Sequence, residues 1–412
     1  MARRRLGWAA ATALAVAFAT TPALGQGAPP APAAPAAPAA AAPITPFQIG
    51  FVDLVEDARF DPEYAYNMVP VRPWGRAFQG AELGIVDAEQ IGRAINVSFS
   101  LVHASGTTPE ELAAAIGEWV GQGIHFVVVD LPADQLLALS DLVAGLEVTL
   151  FNVSAPEDSL RAENCRANVV HTAPSTRMLT DALVQYLVFR RWTNILVLQG
   201  PLPQDAATVE AIRASAGQFG ARIVDVRPFV FGADPRDRDQ NNVALITAGG
   251  GYDVVYIADT DGDFARYVPY DTQDARPVVG AAGLTAQAWH WAWERQGAPQ
   301  VNARFWDLTG RLMADTDWAA WVAVKAIVQS VLRGQSTEYG LVRDYLLGER
   351  MNLDGTKGYP MNVRPWDHQL RQSILLGTGN AIIQLAPVEG FIHQTNDLDT
   401  LGVDAPQSVC RF

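Results

Sequence analysis

Phe126-Val127-Val128-Val129-Asp130 is an unbroken apolar run closed by a carboxylate, and its flanks decide the fold. A helical period from Asp134 to Leu142 follows, then a second run, Val148-Thr149-Leu150-Phe151-Asn152. Such runs joined by helices suit a parallel sheet covered on both faces, since a half-exposed strand alternates apolar and polar residues. Toward the N-terminus, Ile49 to Leu54 and Val97 to Val102 read as strands. Phe78, Ala81, Ile85 and Ala88 fall at helical spacing, and Pro109 to Val120 forms another helical period. Toward the C-terminus a second series is expected to begin at Val169-Val170. Ser175 can cap a helix expected to carry Met178, Leu179, Ala182, Leu183, Tyr186 and Leu187 on one face. Strand-like runs follow at Ile195 to Leu198, Arg222 to Val226, Val254 to Ile257 and Pro277 to Gly280, with helices through Ala216 and near Val243 to Ala248.

After Leu284 the chain becomes helix-rich, with Trp289, Trp291, Trp293, Trp306, Trp318 and Trp321, and helical runs at Asp315 to Leu332 and Tyr339 to Leu347. Late strands are read at Ser373 to Leu376 and Ala381 to Leu385. The fold class is therefore α/β, with two Rossmann-like lobes, each built on a parallel sheet. The expected division gives 46–160 with about 285–345 to one lobe, 161–284 with about 346–390 to the other, and 391–412 to a tail. A ligand cleft belongs between the lobes, where loops at the carboxyl ends of parallel strands converge.

The first residues set the address. Arg3-Arg4-Arg5 precedes an apolar run from Leu6 to Ala19 and the small residues Ala23-Leu24-Gly25, the pattern of a signal peptide cleaved after Gly25. An Ala/Pro-rich linker over 26–45 follows, and the expected location is the periplasm. With 44 acidic against 30 basic residues, the chain lacks the basic surplus that nucleic acid requires. Cys165 and Cys410 are its two cysteines; in an oxidising compartment a disulfide is the expectation, and two separate buried thiols the alternative. No nucleophile elbow, zinc-protease, dinucleotide or P-loop motif occurs, so no enzyme is read and no cofactor is required.

Strand-end loops nominate the ligand site: Asp53 to Phe60, His103-Ala104-Ser105, Asp130-Leu131-Pro132 and Asn152 to Pro156 in the first lobe, His171 to Ser175, Gly200-Pro201, Asp259 to Asp263 and Gly280 to Gly283 in the second. Ser154, Thr172 and Ser175 offer hydroxyls near helix starts, where they either hold an anion or cap the helix. Asp259, Asp261 and Asp263 alternate in one loop, a spacing open to calcium or to a turn that caps the next helix; glycine and glutamate are not placed as in an EF-hand. Glu56, Asp57 and Asp61 form a second acidic group. The tryptophans serve either to stack on a solute or to fill the core.

The two-series plan resembles type I periplasmic binding proteins, the branched-chain amino-acid class of receptors for ABC importers. Glu56-Asp57-Ala58-Arg59-Phe60-Asp61, Asn164-Cys165-Arg166-Ala167-Asn168, His171-Thr172-Ala173-Pro174-Ser175, Ala288 to Arg295, Arg364-Pro365-Trp366-Asp367 and Asp397 to Asp404 are similar to substrate-binding proteins encoded with PQQ-dependent alcohol dehydrogenase systems. The resemblance implies a periplasmic receptor that closes its lobes on a ligand and delivers it to ABC permease membrane subunits. By position it carries ligand contacts onto Asn152, Ser154, Ala155, His171, Thr172 and Ser175, with Asp259 and Asp261 as amine or cation partners. It leaves open a metal such as calcium or a lanthanide, a metal complex, the cofactor PQQ or an alcohol-derived metabolite as the ligand. The alternative role is an accessory that binds a quinoprotein dehydrogenase or its cytochrome without transport.

Overall fold

The computed structural model describes residues 43–60, 75–230 and 235–412. The expected signal peptide, the expected linker up to Ala42 and Asp61 lie outside the described residues. Five strands form the first sheet: β1 (Thr45–Leu54), β2 (Val97–Gly106), β3 (Phe126–Asp130), β4 (Thr149–Asn152) and β5 (Val169–His171), in the order β2-β1-β3-β4-β5. All pairs are parallel, and the register sets Asp53 beside both Ser105 and Asp130, and Val129 beside Asn152. Four strands form the second sheet: β6 (Asn194–Gln199), β7 (Arg222–Pro228), β8 (Val254–Ala258) and β9 (Val278–Gly280), in the order β7-β6-β8-β9. A third, antiparallel sheet joins β10 (Thr285–Gln287), β13 (Ile374–Thr378) and β14 (Ala381–Ala386), while β11 (Leu353–Asp354) and β12 (Pro360–Met361) pair with each other.

The helices cover both faces of each parallel sheet. On the first, α1 (Phe78–Ile95), α9 (Ala298–Thr309), α10 (Asp315–Gly334) and α11 (Tyr339–Leu347) pack against Ile49, Phe51, Phe126 and Val128. Val52, Val127 and Val129 point the other way, toward α2 (Pro109–Gly121) and α3 (Ala133–Leu142). This two-sided burial is why the β3 run shows no alternation. Gly50 on β1 leaves room for Trp119 of α2; a Cβ there would meet the indole at 2.8 Å. On the second sheet, α4 (Thr176–Phe189) and α5 (Pro203–Phe219) pack against Ile195, Val197 and Tyr256. The one-turn helices α6 (Arg238–Asn241), α7 (Val243–Ile246) and α8 (Val268–Asp271) lie in the later part of that series, where Val243, Ile246 and Val268 pack on Leu196, Leu198 and Val255.

Two boundaries differ from the sequence reading. Val169-Val170 closes the first sheet, because β5 pairs with β4, and the second series opens at α4 instead. Met351, Leu353, Met361 and Val363 join the first core, so part of the stretch assigned to the second lobe completes the first. The third sheet lies between the two cores: Ile374 and Leu376 enter the second and Leu375 the first. Trp289, Trp293, Trp318 and Trp321 are buried in the first core, each with its indole N–H bonded, so these four fill the core. Among the described residues, no helix is long and apolar enough to cross a membrane.

Candidate ligand-binding site

The parallel register brings the ends of β1, β2, β3 and β4 to one side of the first lobe, and two linked charged groups gather there. In the first, Asp53 is buried at the end of β1. Ser105 Oγ donates to its Oδ1 (2.6 Å), His103 Nε2 lies 3.1 Å from the same oxygen, and Arg76 Nη1 is 3.6 Å from Oδ2. Arg76 also donates to the carbonyls of Leu54 and Val55, fixing the chain as it leaves the strand. His103 stacks on Phe78 at 4.5 Å. Burial opposes the charge on Asp53, but the His103 and Ser105 hydrogen bonds and the Arg76 charge outweigh it and hold the carboxyl below its usual range.

Arg59 is the hub of the second group. Its Nε and Nη2 grip Asp57 in a bidentate pair (3.0 and 2.6 Å), Nη2 reaches Asp130 Oδ1 (3.1 Å), and Nη1 donates to Ser154 Oγ (2.9 Å). The guanidinium therefore ties the end of β1 to those of β3 and β4. The Arg59 side chain is 31% exposed, while those of Asp57 and Asp130 are 3% and 0% exposed. Burial raises the Asp130 carboxyl and Arg59 only partly offsets this; at Asp57 burial is overcome by Arg59 and the carboxyl is lowered. Among the described residues, Asp130 Oδ2 has no hydrogen-bond partner. The Phe60 ring lies against both guanidiniums, 5.3 Å from Arg59 and 5.6 Å from Arg76. The exposed side of the cluster is thus cationic and aromatic, with the carboxylates behind it.

Of the residues nominated from sequence, Ser154 reaches this cluster. Asn152 is buried and staples its own turn: Oδ1 accepts from the Ala155 and Ser154 amides, and Nδ2 donates to the Ala155 carbonyl and lies 3.0 Å from His171 Nδ1. The Ala155 carbonyl also accepts from Arg161. His171 is buried, and burial, then Arg161 and His368, lower its pKa well below the ordinary value. Thr172 Oγ1 donates to the Asn152 carbonyl, and Ser175 Oγ caps α4 by accepting from the Met178 amide. These four polar side chains brace the loops, a role open to any polar group at a strand end.

The acidic loop of the second lobe behaves likewise. Asp259 Oδ2 accepts from the Ala265 amide, and Asp263 pairs with Arg266 at 3.4 Å. Burial raises the Asp259 carboxyl. Asp205, absent from the sequence reading, receives the Thr260 amide (2.7 Å), Thr260 Oγ1 (2.6 Å) and the Leu202 amide (3.0 Å), binding the loop after β8 to the start of α5. Among the described residues no three or more histidine, cysteine or acidic groups gather as they would around a metal, so Asp259, Asp261 and Asp263 do not form a metal cluster. Cys165 and Cys410 are joined in a disulfide, with Cα atoms 5.8 Å apart.

Two parallel α/β sheets with their polar loops at the strand ends match solved receptors over nearly their whole length. A ligand-binding protein of a branched-chain amino-acid ABC transporter from Burkholderia xenovorans superposes with a TM-score of 0.67 at 12% identity, covering 88% of this chain and 99% of that one. The fold is that of a type I periplasmic binding protein. The periplasmic binding protein family model matches residues 70–269. A Leu-, Ile-, Val-, Thr- and Ala-binding protein from Brucella ovis, in a closed conformation, shares the type I periplasmic binding protein fold at TM-score 0.65, 13% identity and coverage of 89% and 98%. A solute-binding protein from Rhodopseudomonas palustris, in complex with 3,4-dihydroxybenzoic acid, gives 0.62, 11%, and 82% and 97%. No curated protein matches the sequence.

Proposed function

We propose that the chain is the periplasmic solute-binding component of an ABC importer, and that its ligand is a small organic acid held at the carboxyl ends of the first lobe's strands. The Arg59 guanidinium carries the reading: it is the half-exposed cation of a cluster whose carboxylates lie behind it, and it spans three strand ends. Beside it Phe60 and Arg76 provide an aromatic surface and a second cation for a ligand body and its carboxylate. The named ligands of the Brucella and Rhodopseudomonas proteins are carboxylic acids too. The motif similarity to receptors encoded with PQQ-dependent alcohol dehydrogenases narrows the candidates to PQQ itself and acids arising from alcohol oxidation.

Thermal-shift measurements on metal-stripped protein with PQQ, 3,4-dihydroxybenzoate, leucine, calcium and lanthanum test this. An acid present at one hundred times its dissociation constant adds about 2.7 kcal/mol and raises Tm by about 3 °C. Arg59→Gln removes that shift. Neither metal ion is expected to raise Tm, because the acidic loop spends its carboxylates on its own turn. Absence of a shift with every acid, together with co-purification of a quinoprotein dehydrogenase, would replace transport by the accessory role.

A further inference from the structure

Three segments carry the chain between the lobes, and a buried chain of hydrogen bonds threads all three. The first runs from β5 to α4, the second from β10 toward α9, and the third from β12 to β13. Lys357 Nζ donates to the Ala288 carbonyl on the second (2.8 Å) and to Gln372 Oε1 on the third (2.9 Å). Gln372 Nε2 donates in turn to the Thr172 carbonyl on the first (2.8 Å). The ammonium lies 3.6 Å from the centre of the Trp318 ring, in the first core. Gln369 adds a second knot, donating to the carbonyls of His171 and Ala173 while accepting from Arg161 of the first lobe. The backbone joins as well: the His171 amide bonds the His368 carbonyl, and the Leu370 amide bonds that of His171.

The C-terminal segment lies across this hinge and is fixed at both ends. On the second lobe, the Gly402 amide donates to Asp181 of α4 (2.8 Å), Gln185 donates to Thr400 Oγ1, and Leu401 enters the second core. At the hinge, Asp399 receives Arg364 and Arg371 of the third crossover, Arg364 also donates to the Leu398 and Leu401 carbonyls, and Trp366 Nε1 donates to the Val403 carbonyl. On the first lobe, Cys410 is bonded to Cys165 in the loop between β4 and β5, and Phe412 stacks on His368 of the third crossover at 4.0 Å. Arg166 and Asn168 fasten that loop to α3, through Asp141 and Ser140.

We propose that residues 397–412 are a strap, closed covalently by the Cys165–Cys410 bond, that limits how far the two lobes separate. Gly402 and Cys410 are anchored on different lobes, and the eight residues from one to the other reach at most about 29 Å when fully extended. Opening also has to shift the third crossover, which Asp399 and Val403 hold to the strap. A hinge of three crossovers thereby acquires a fourth connection, whose covalent end can be cut without touching the strand-end cluster.

Hydrogen exchange on ligand-free protein tests the strap independently of any ligand. Cys410→Ser is expected to speed exchange at the His171, Leu370 and Arg371 amides at least tenfold, with amides of Ile195 to Leu198 in the second core unchanged. Should the variant fail to fold, the same amides are followed in the wild-type protein before and after reduction of the bond under native conditions. Faster exchange confined to 403–412, with the crossover amides unaltered, would overturn the proposal and leave the bond a tether for the chain end alone.

Discussion

At the carboxyl ends of the first sheet charged side chains meet across strands, whereas at those of the second Asp259 and Asp263 turn back on their own loop and Asp205 crosses from the start of α5 to the loop after β8. Arg59 joins Asp57, Asp130 and Ser154, drawn from three strand ends, and Asp53 collects His103, Ser105 and Arg76 from two more elements. Asp259 bonds the Ala265 amide of its own loop, while Asp205 bonds the Leu202 amide of its own turn and the Thr260 amide and hydroxyl of the loop after β8. A cross-strand cluster holds its groups in one geometry while leaving an edge open, which is the basis for the ligand site proposed on the first lobe. Local bonds consume the carboxylates of Asp259 and Asp263, and in the proposed reading the second lobe closes over the ligand without supplying its main contacts.

The largest effect expected from breaking this contrast is at Arg59. Arg59→Ala strands Asp57 and Asp130 without their cation and should cost about 3–5 kcal/mol in urea unfolding. Asp205→Ala, on the other lobe, removes the acceptor of three bonds; a loss of about 2 kcal/mol is expected, with ligand affinity by calorimetry unchanged. The smallest and sharpest comparison is one of pH. Asp53 has a lowered carboxyl pKa, so its stabilisation is present above the ordinary aspartate value and disappears as pH falls through the lowered one. Asp259 has a raised pKa, so its charge is a cost at neutral pH that protonation relieves. Asp53→Asn should therefore destabilise by about 1 kcal/mol at pH 7 and by less at pH 3, while Asp259→Asn slightly stabilises at pH 7 and is neutral at pH 3. Equal responses at the two sites would dissolve the distinction between the lobes.

Whereas the edge strands β2 and β7 carry exposed positions, the inner strands β3, β6 and β8 could be read from sequence because burial on both faces writes itself as a near-continuous apolar run. Val169-Val170 misled for the same reason: a short apolar run before a helix looks like the start of a series, and only its pairing with Leu150 and Phe151 assigns it to the first sheet. The loops of the site were legible as strand ends, but the direction of their side chains was not. Asn152 and Ser154 stand two positions apart, yet one is consumed by its turn and the other meets Arg59, 95 residues earlier. Arg59 stood inside a motif that resemblance singled out, but its reach to Asp130 depends on register. Lys357, Gln369 and Arg161 carried no signal at all, since nothing in spacing marks a cation destined for burial.

The chain has two lysines, Lys325 and Lys357. Lys325 donates from the edge of α10 to the Asp354 carbonyl, whereas Lys357 is sealed beneath the crossovers, where burial lowers its pKa well below the ordinary lysine value. Burial weakens the hold of this amine on its proton, yet an acylating reagent cannot reach it while the segments above remain joined. Its acetylation would be a chemical clock for the hinge, ticking once for each excursion wide enough to admit the reagent, with Lys325 in the same molecule as the accessible reference.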